Sequence, residues 1–315
     1  MELIFLGTGG AWGLPEHKCP CATCRHLRAI GQHRTRTSLW IQGPDPILVD
    51  PGPDLRAQLM REDLPCPGAV LITHEHGDHY LGLDELLCFR RNLPPEQWSP
   101  IPVYATAPAW EQIEVRFGYL LGSLLEKRLA QPGQELAGEP FGPKLACLPL
   151  KTEHGPFALG AVGYQFHFQD QGRTFRLGYT GDMMNPQDPE AFSGMDILVC
   201  QCHFLNEPAH NRANHLSLQR ALPFLKRWQP REVYFVHLSC QDFLPDDEAA
   251  NQILKKYRPA ARLCDPQGRP YPIPRDQDSW QQTVQRVLQD HGLNLKAQVA
   301  YDGLKVELSA GPRAS

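Results

Sequence analysis

An α/β fold is predicted by two observations. Short apolar runs recur along the chain, each ending in a polar residue or a Gly-marked turn, and helix-period segments follow the later ones. The first run, Glu2 to Leu6, meets the turn Gly7, Thr8, Gly9, Gly10 and reads as an opening strand. Lacking a basic leading region, it does not read as a signal peptide. Ile47, Leu48 and Val49 stop at Asp50, Pro51 and Gly52, a turn sequence. Residues 69–72 form a buried-strand pattern, as do 144–150, 174–177 and Glu232–Val236. Residues 197–202 form another, and Cys200 and Cys202 are placed in its core. Leu218–Trp228 carries a helical pattern, as do residues 246–257 and 276–289, with a Pro/Gly-rich linker at 266–274. Strand patterns return at 295–301 and 305–308. Residues 1–315 are therefore expected to form one domain, with a helical insertion at about 245–294 before the last strands.

Composition is that of an ordinary globular protein, with a formal net charge of −4. This offers no strong nucleic-acid signal and no electrostatic pull toward an anionic membrane. No apolar stretch approaches the ~20 residues of a membrane span. Ten cysteines without an export signal point to reduced thiols and metal ligation in a cytoplasmic protein.

The densest chemistry is at His74, Glu75, His76, Gly77, Asp78 and His79, directly after the run 69–72. His and Asp are the N and O ligands preferred by zinc-like cations, and one tight loop of this kind can feed two adjacent ions. Other candidate ligands also lie just past strand-like runs: His154, Asp182 and His237. Gly155 and Gly181 mark the turns beside the first two.

This order (HxHxDH, His, Gly-Asp, His) resembles the metallo-β-lactamase fold superfamily, from residue 1 to about 244 and again at 299–308. The resemblance implies a four-layer αββα sandwich. It also implies that His74, His76 and His154 bind one metal, that Asp78, His79 and His237 bind a second, and that Asp182 bridges them. Two divalent ions, zinc or manganese, are the expected active-site cofactors. Asp78 counts among the catalytic residues as well as the ligands.

Cys19, Cys21 and Cys24 form a C-x-C-x-x-C cluster, most of a closed tetrahedral zinc site. Cys240 is the expected fourth ligand, with His17 and His26 as competitors. A Gly-rich opening, this cluster and the Arg34, Thr35, Arg36 step together resemble the phosphoribosyl cyclic phosphate phosphodiesterase branch. The stretches 47–54, 214–218 and 300–304 add to that resemblance. In that branch the fourth structural ligand is a His, so Cys240 is a departure in residue type at the same spacing. The pyrroloquinoline quinone biosynthesis B family shares the cysteine cluster but lacks the full HxHxDH.

The expected activity is a metal-dependent phosphodiesterase acting on a small phosphate ester, cyclic esters included. A water between two cations becomes a nucleophile near neutral pH. His215, matched to a His in that branch, is expected to protonate the leaving alkoxide as general acid. Asp50 is expected to orient a ligand imidazole. Arg34 and Arg36 are candidates for holding substrate phosphate, though such arginines also pair with local carboxylates, and Trp12 is a candidate pocket wall. The alternatives are a tRNA 3′-processing nuclease and a quinone-cofactor biosynthesis protein. The segment 246–290 carries seven Lys/Arg against seven Asp/Glu, which does not make an RNA-holding surface. A homodimer is the expected assembly if the chain is not a monomer.

Overall fold

In the computed structural model, which describes residues 1–170 and 173–308, the described strands form two seven-stranded sheets. The first sheet uses β1 (Glu2–Gly7), β2 (Ser38–Gln42), β3 (Ile47–Val49), β4 (Ala69–Leu71), β5 (Ile101–Ala105) and β6 (Leu125–Leu129). The second uses β7 (Leu145–Glu153), β8 (Val162–Asp170), β9 (Arg173–Tyr179), β10 (Asn185–Pro186), β11 (Ile197–Gln201), β12 (Glu232–Val236) and β13 (Lys296–Val299). The last strand, β14 (Lys305–Glu307), returns to the first sheet. Strand order is β14-β1-β2-β3-β4-β5-β6 in one sheet and β10-β7-β8-β9-β11-β12-β13 in the other.

Both sheets repeat one pattern: three antiparallel pairings followed by three parallel ones. Parallel strands need helical crossovers on their outer faces and so are buried on both sides. The period-2 geometry of a strand separates those faces. Leu3 and Phe5 of β1 point between the sheets, whereas Ile4 and Leu6 point outward. In β12, Tyr234 and Val236 face inward, and Val233 and Phe235 face the opposite side. Three apolar clusters result, one between the sheets and one under each outer helical layer. That is the expected four-layer αββα sandwich.

The helices are α1 (Ala22–Ile30), α2 (Leu55–Glu62), α3 (Leu87–Asn92), α4 (Ala107–Phe117), α5 (Leu218–Trp228), α6 (Glu248–Asn251) and α7 (Gln277–Asp290). Helix α5 buries Leu218, Ala221, Leu222, Leu225 and Trp228, one stripe at helical spacing, and Ser217 caps it by accepting from Arg220 N. Helix α7 starts at a capping box made by Asp276 and Ser279 and buries Trp280, Val284, Val287 and Leu288. These side chains share the apolar cluster of α5 and β12, so α7 is the crossover that brings the chain from β12 to parallel β13.

The helical pattern at 246–257 shrinks to the single turn α6. Leu244 and Asn251 bond to each other, the backbone N of Leu244 donating to Asn251 Oδ1 at 2.9 Å, which folds the segment back on itself. Lys255 and Lys256 then turn inward, Lys255 Nζ lying 3.1 Å from Cys240 Sγ. No helix of the described residues is long and apolar enough to cross a membrane.

Candidate metal centre

The chemistry-bearing residues gather at the carboxyl ends of β3, β4, β7, β9, β11 and β12, where open α/β sheets present their loops. Asp50 and His237 directly follow β3 and β12 in left-handed backbone, with φ of 55° and 66°. Such conformations are strained for residues other than Gly and accumulate at functional sites. Gly181 has φ of 57°, and a Cβ there would sit 2.9 Å from Val162 O and 3.0 Å from Thr73 Cγ2. Only Gly lets the Asp182 loop lie this close to the HxHxDH loop. Glu75 ties that loop to the one after His154 by accepting from Gly160 N.

All seven predicted ligands converge. One ring of side chains is His74, His76 and His154; the other is Asp78, His79, Asp182 and His237. His154 Nε2 lies 3.2 Å from His76 Nδ1. Asp182 Oδ2 sits between the two groups, 2.9 Å from His237 Nε2, 3.4 Å from His79 Nε2 and 3.9 Å from His154 Nε2.

The outer nitrogens of these rings are engaged. His79 Nδ1 meets Asp50 Oδ2 at 2.9 Å, and His154 Nδ1 donates to the Asn214 carbonyl at 2.8 Å. Each bond leaves the ring's Nε2 lone pair pointing inward. The buried Nε2 atoms of His74, His79 and His237 have no hydrogen-bond partner, close as the carboxylates are. Lone pairs that converge without bonding to one another fit a cation between them.

The electrostatics agree. Burial opposes charge on His237, but Asp182 and Asp78 outweigh it and push its pKa up to about 9. His79 is likewise raised: burial opposes, and Asp78, Asp50 and Asp182 prevail. The donor set of imidazoles and carboxylates therefore fits two divalent ions.

Asp50 is fully buried and accepts at both oxygens: from Thr73 N at 2.8 Å and from Tyr179 OH at 3.0 Å, besides its contact with His79. Asp50→Asn would turn an amide donor toward one of these donors. We expect metal affinity to fall by about 10–100-fold, as measured by competition with a chromophoric chelator. Unchanged affinity would show that Asp50 does not orient His79.

The cysteines form a separate cluster: Cys19, Cys21, Cys24 and Cys240, all buried. Cys19 and Cys21 sulfurs are 3.3 Å apart. Hydrogen bonds among the thiols push Cys19 well below, and Cys240 well above, the usual thiol range, as expected of four sulfurs that cannot all ionise without a cation. His26 instead meets Asp276 at 2.7 Å, and His17 is exposed.

Arg34 and Arg36 are both engaged by protein partners. Arg34 donates to Thr8 Oγ1 at 2.6 Å, to the Ala300 carbonyl and to Gln277 Oε1. Arg36 pairs with Asp54 at 2.9 Å and donates to the Ala11 carbonyl. These bonds use three of the N–H groups of the Arg34 guanidinium and two of those of Arg36, and they brace the Gly-rich loop. Trp12 is 65 % exposed, on the loop whose Gly10 abuts His203 and His237. It stands at the rim and forms no buried wall.

Two residues of the cluster escaped the sequence reading. His203 Nδ1 lies 3.0 Å from His237 Nδ1, and its ring stacks on His215 with centroids 4.1 Å apart. Gln201, the last residue of β11, has its side-chain nitrogen 2.8 Å from His215 Nδ1. The signal that located His154, a polar residue at a strand's end, was present after β11 too. It was masked by reading residues 197–202 wholly as core.

Residues 46–238 match the beta-lactamase superfamily domain. Among curated relatives, an octanoyltransferase of Porphyromonas gingivalis is 29 % identical over 253 residues, 76 % of this chain but 46 % of its own length. Coenzyme PQQ synthesis protein B of Pseudomonas aeruginosa is 27 % identical over 178 residues, 50 % of this chain and 56 % of its own. The chain thus spans about half the length of these curated relatives. Among solved structures, a diphosphatase of the PhnP family superposes with a TM-score of 0.67 at 23 % identity, covering 98 % of both chains. The fold and the matched span place this chain in the β-lactamase superfamily, with the architecture of its metallo-hydrolases.

Proposed function

We propose that this protein is a dinuclear metal-dependent hydrolase of phosphoric diesters or anhydrides of small molecules. The observation that carries the reading is the position of Asp182 Oδ2, within 4 Å of imidazole nitrogens from both ligand groups. His74, His76 and His154 would hold one divalent ion, zinc or manganese; Asp78, His79 and His237 would hold the other, with Asp182 shared. When bound, such ions supply an activated water and a positive seat for phosphoryl oxygens. The protein contributes the rest. Asp50, Asn214 and Thr73 hold the imidazoles in the tautomers that face the cleft. The sandwich walls keep His74, His79 and Asp182 dry, so charges in the cleft interact strongly. His215, 12 % exposed on its side chain, is the imidazole beside Asp182 placed to meet substrate. The cysteine cluster is assigned a structural zinc.

The test is a turnover screen of zinc- and manganese-loaded protein. Cyclic and linear phosphodiesters and phosphoanhydrides are set against phosphomonoesters, lactams, thioesters and precursor tRNA. We expect a phosphodiester or anhydride to have the highest kcat/KM. A lactam, thioester or tRNA substrate ahead of them all would overturn the reading.

A further inference from the structure

A cavity of about 430 Å³ lies where α1 ends, α7 begins and the chain turns from β13 into β14. That volume is in the range of small-molecule sites. None of the seven residues assigned to the two ions lines it, nor does His215. Leu14 and Leu27 give it an apolar side, and Tyr301 lines it with a ring that is 45 % exposed. Arg34 and Asp302 supply opposite charges in the same wall.

The fold leaves Arg34 incompletely satisfied. Its guanidinium carries hydrogens on Nε, Nη1 and Nη2 and stays charged at any ordinary pH. Nη1 uses both of its hydrogens, on Thr8 Oγ1 and the Ala300 carbonyl, and Nη2 uses one on Gln277 Oε1. These acceptors are a hydroxyl, a carbonyl and an amide oxygen, all neutral. The Nε–H and the second hydrogen of Nη2 have no acceptor among the described residues. Asp302 is taken by other donors: Thr8 Oγ1, Thr35 N and Thr35 Oγ1, each at 2.7 Å, with Arg61 at 3.9 Å. Burial accordingly pulls the Arg34 pKa down to about 10, and the Asp302 charge offsets only part of that effect. A guanidinium so placed is stabilised by an anion that brings two oxygens to its remaining N–H groups.

We propose that this cavity is a second small-molecule site, separate from the metal cleft, which takes an oxyanion head, carboxylate or phosphate, on Arg34 Nε and Nη2 and an apolar or aromatic body against Leu14, Leu27 and Tyr301. The body is required because the leucine side offers nothing to a hydrated inorganic ion. The site does not depend on which ester or anhydride the metals act on, so it stands or falls independently of the proposed function.

The test is a titration of zinc-loaded protein carrying 15N-labelled arginine. Benzoate and phenylphosphonate present the two candidate heads on the same ring, and benzylamine is the cationic control. Both anions are expected to move the Arg34 Nε–H resonance saturably, at one site per chain, and benzylamine is not. The tighter anion identifies the head as carboxylate or phosphate. Tyr301→Ala should weaken that anion by about tenfold, the worth of an aromatic contact, with Tm and zinc content unchanged. Arg34→Lys should abolish the saturable response, because an ammonium cannot make the two-point contact. If Arg34→Lys fails to fold, the wild-type resonance and the Tyr301→Ala affinity decide the matter. No shift with either anion, an equal shift with benzylamine, or an affinity untouched by Tyr301→Ala would overturn the proposal. Binding that persists unchanged in both variants would place the anion in the metal cleft and overturn it as well.

Discussion

His215→Ala is expected to lower kcat by about 10²–10³-fold, the usual worth of one hydrogen-bond donor aimed at developing oxyanion charge. Bound metal should be unchanged, because His215 lies outside the seven residues assigned to the two ions. The size of the loss should hardly depend on the leaving group. A donor aimed at a phosphoryl oxygen stabilises the same charge whether p-nitrophenolate or phenolate departs. A ring that surrendered its proton would behave differently, giving a large deficit with phenol and a small one with p-nitrophenol. The measurements are kcat on both substrates and metal content by elemental analysis. A deficit confined to the poor leaving group would make the ring a general acid. A rise in KM at constant kcat would make His215 a binding residue.

The second large effect is expected at Cys21, fully buried between Cys19 and the start of α1. Its side chain serves the helix as well as the cluster, accepting from Cys24 N. Cys240 joins the cluster from the loop three residues past His237, so these sulfurs tie the N-terminal loop to the floor of the cleft. Lys255 Nζ, 3.1 Å from Cys240 Sγ, would offset charge on the four sulfurs if they ionised around a metal. Metal binding by such a set is folding free energy. Cys21→Ser should lose one zinc per chain and at least ~3 kcal/mol of stability, which for a domain this large lowers Tm by about 6–12 °C. Loss of activity should follow as a secondary effect. Unchanged zinc content in the variant would remove the structural site.

The converging histidines and aspartates were legible because they are residue types with one dominant use, placed where strands end. His74 to His79 declare a metal loop even in isolation. Gln201 and His203 were not legible. A glutamine has no metal signature, and its role here depends on two backbone donors, Met183 N and Leu216 N, supplied by other loops. The guanidinium partners of Arg34 come from residues 8, 277 and 300, distances in sequence that local patterning does not span. Helix α7 was visible as a period but not as a structural layer, since its place beside α5 is set by tertiary packing of Trp280 and Val284. The repeated sheet pattern was hidden because pairing direction leaves no periodic mark in composition.

Strand β14 pairs with β1, with Leu3 opposite Val306, and Phe5 N reaches the Leu304 carbonyl. The half of the molecule made first is thus finished by the last of the described strands. During synthesis, β1 waits with an open edge until residues 305–307 have been made, and Thr8 and Thr35 wait for their partner Asp302. Closing so wide a loop is slow compared with local helix formation. The nascent chain therefore lives for a time with an open strand edge that invites association with a neighbour. The architecture that sets two half-sites face to face also makes delayed completion an inherited property of its biogenesis.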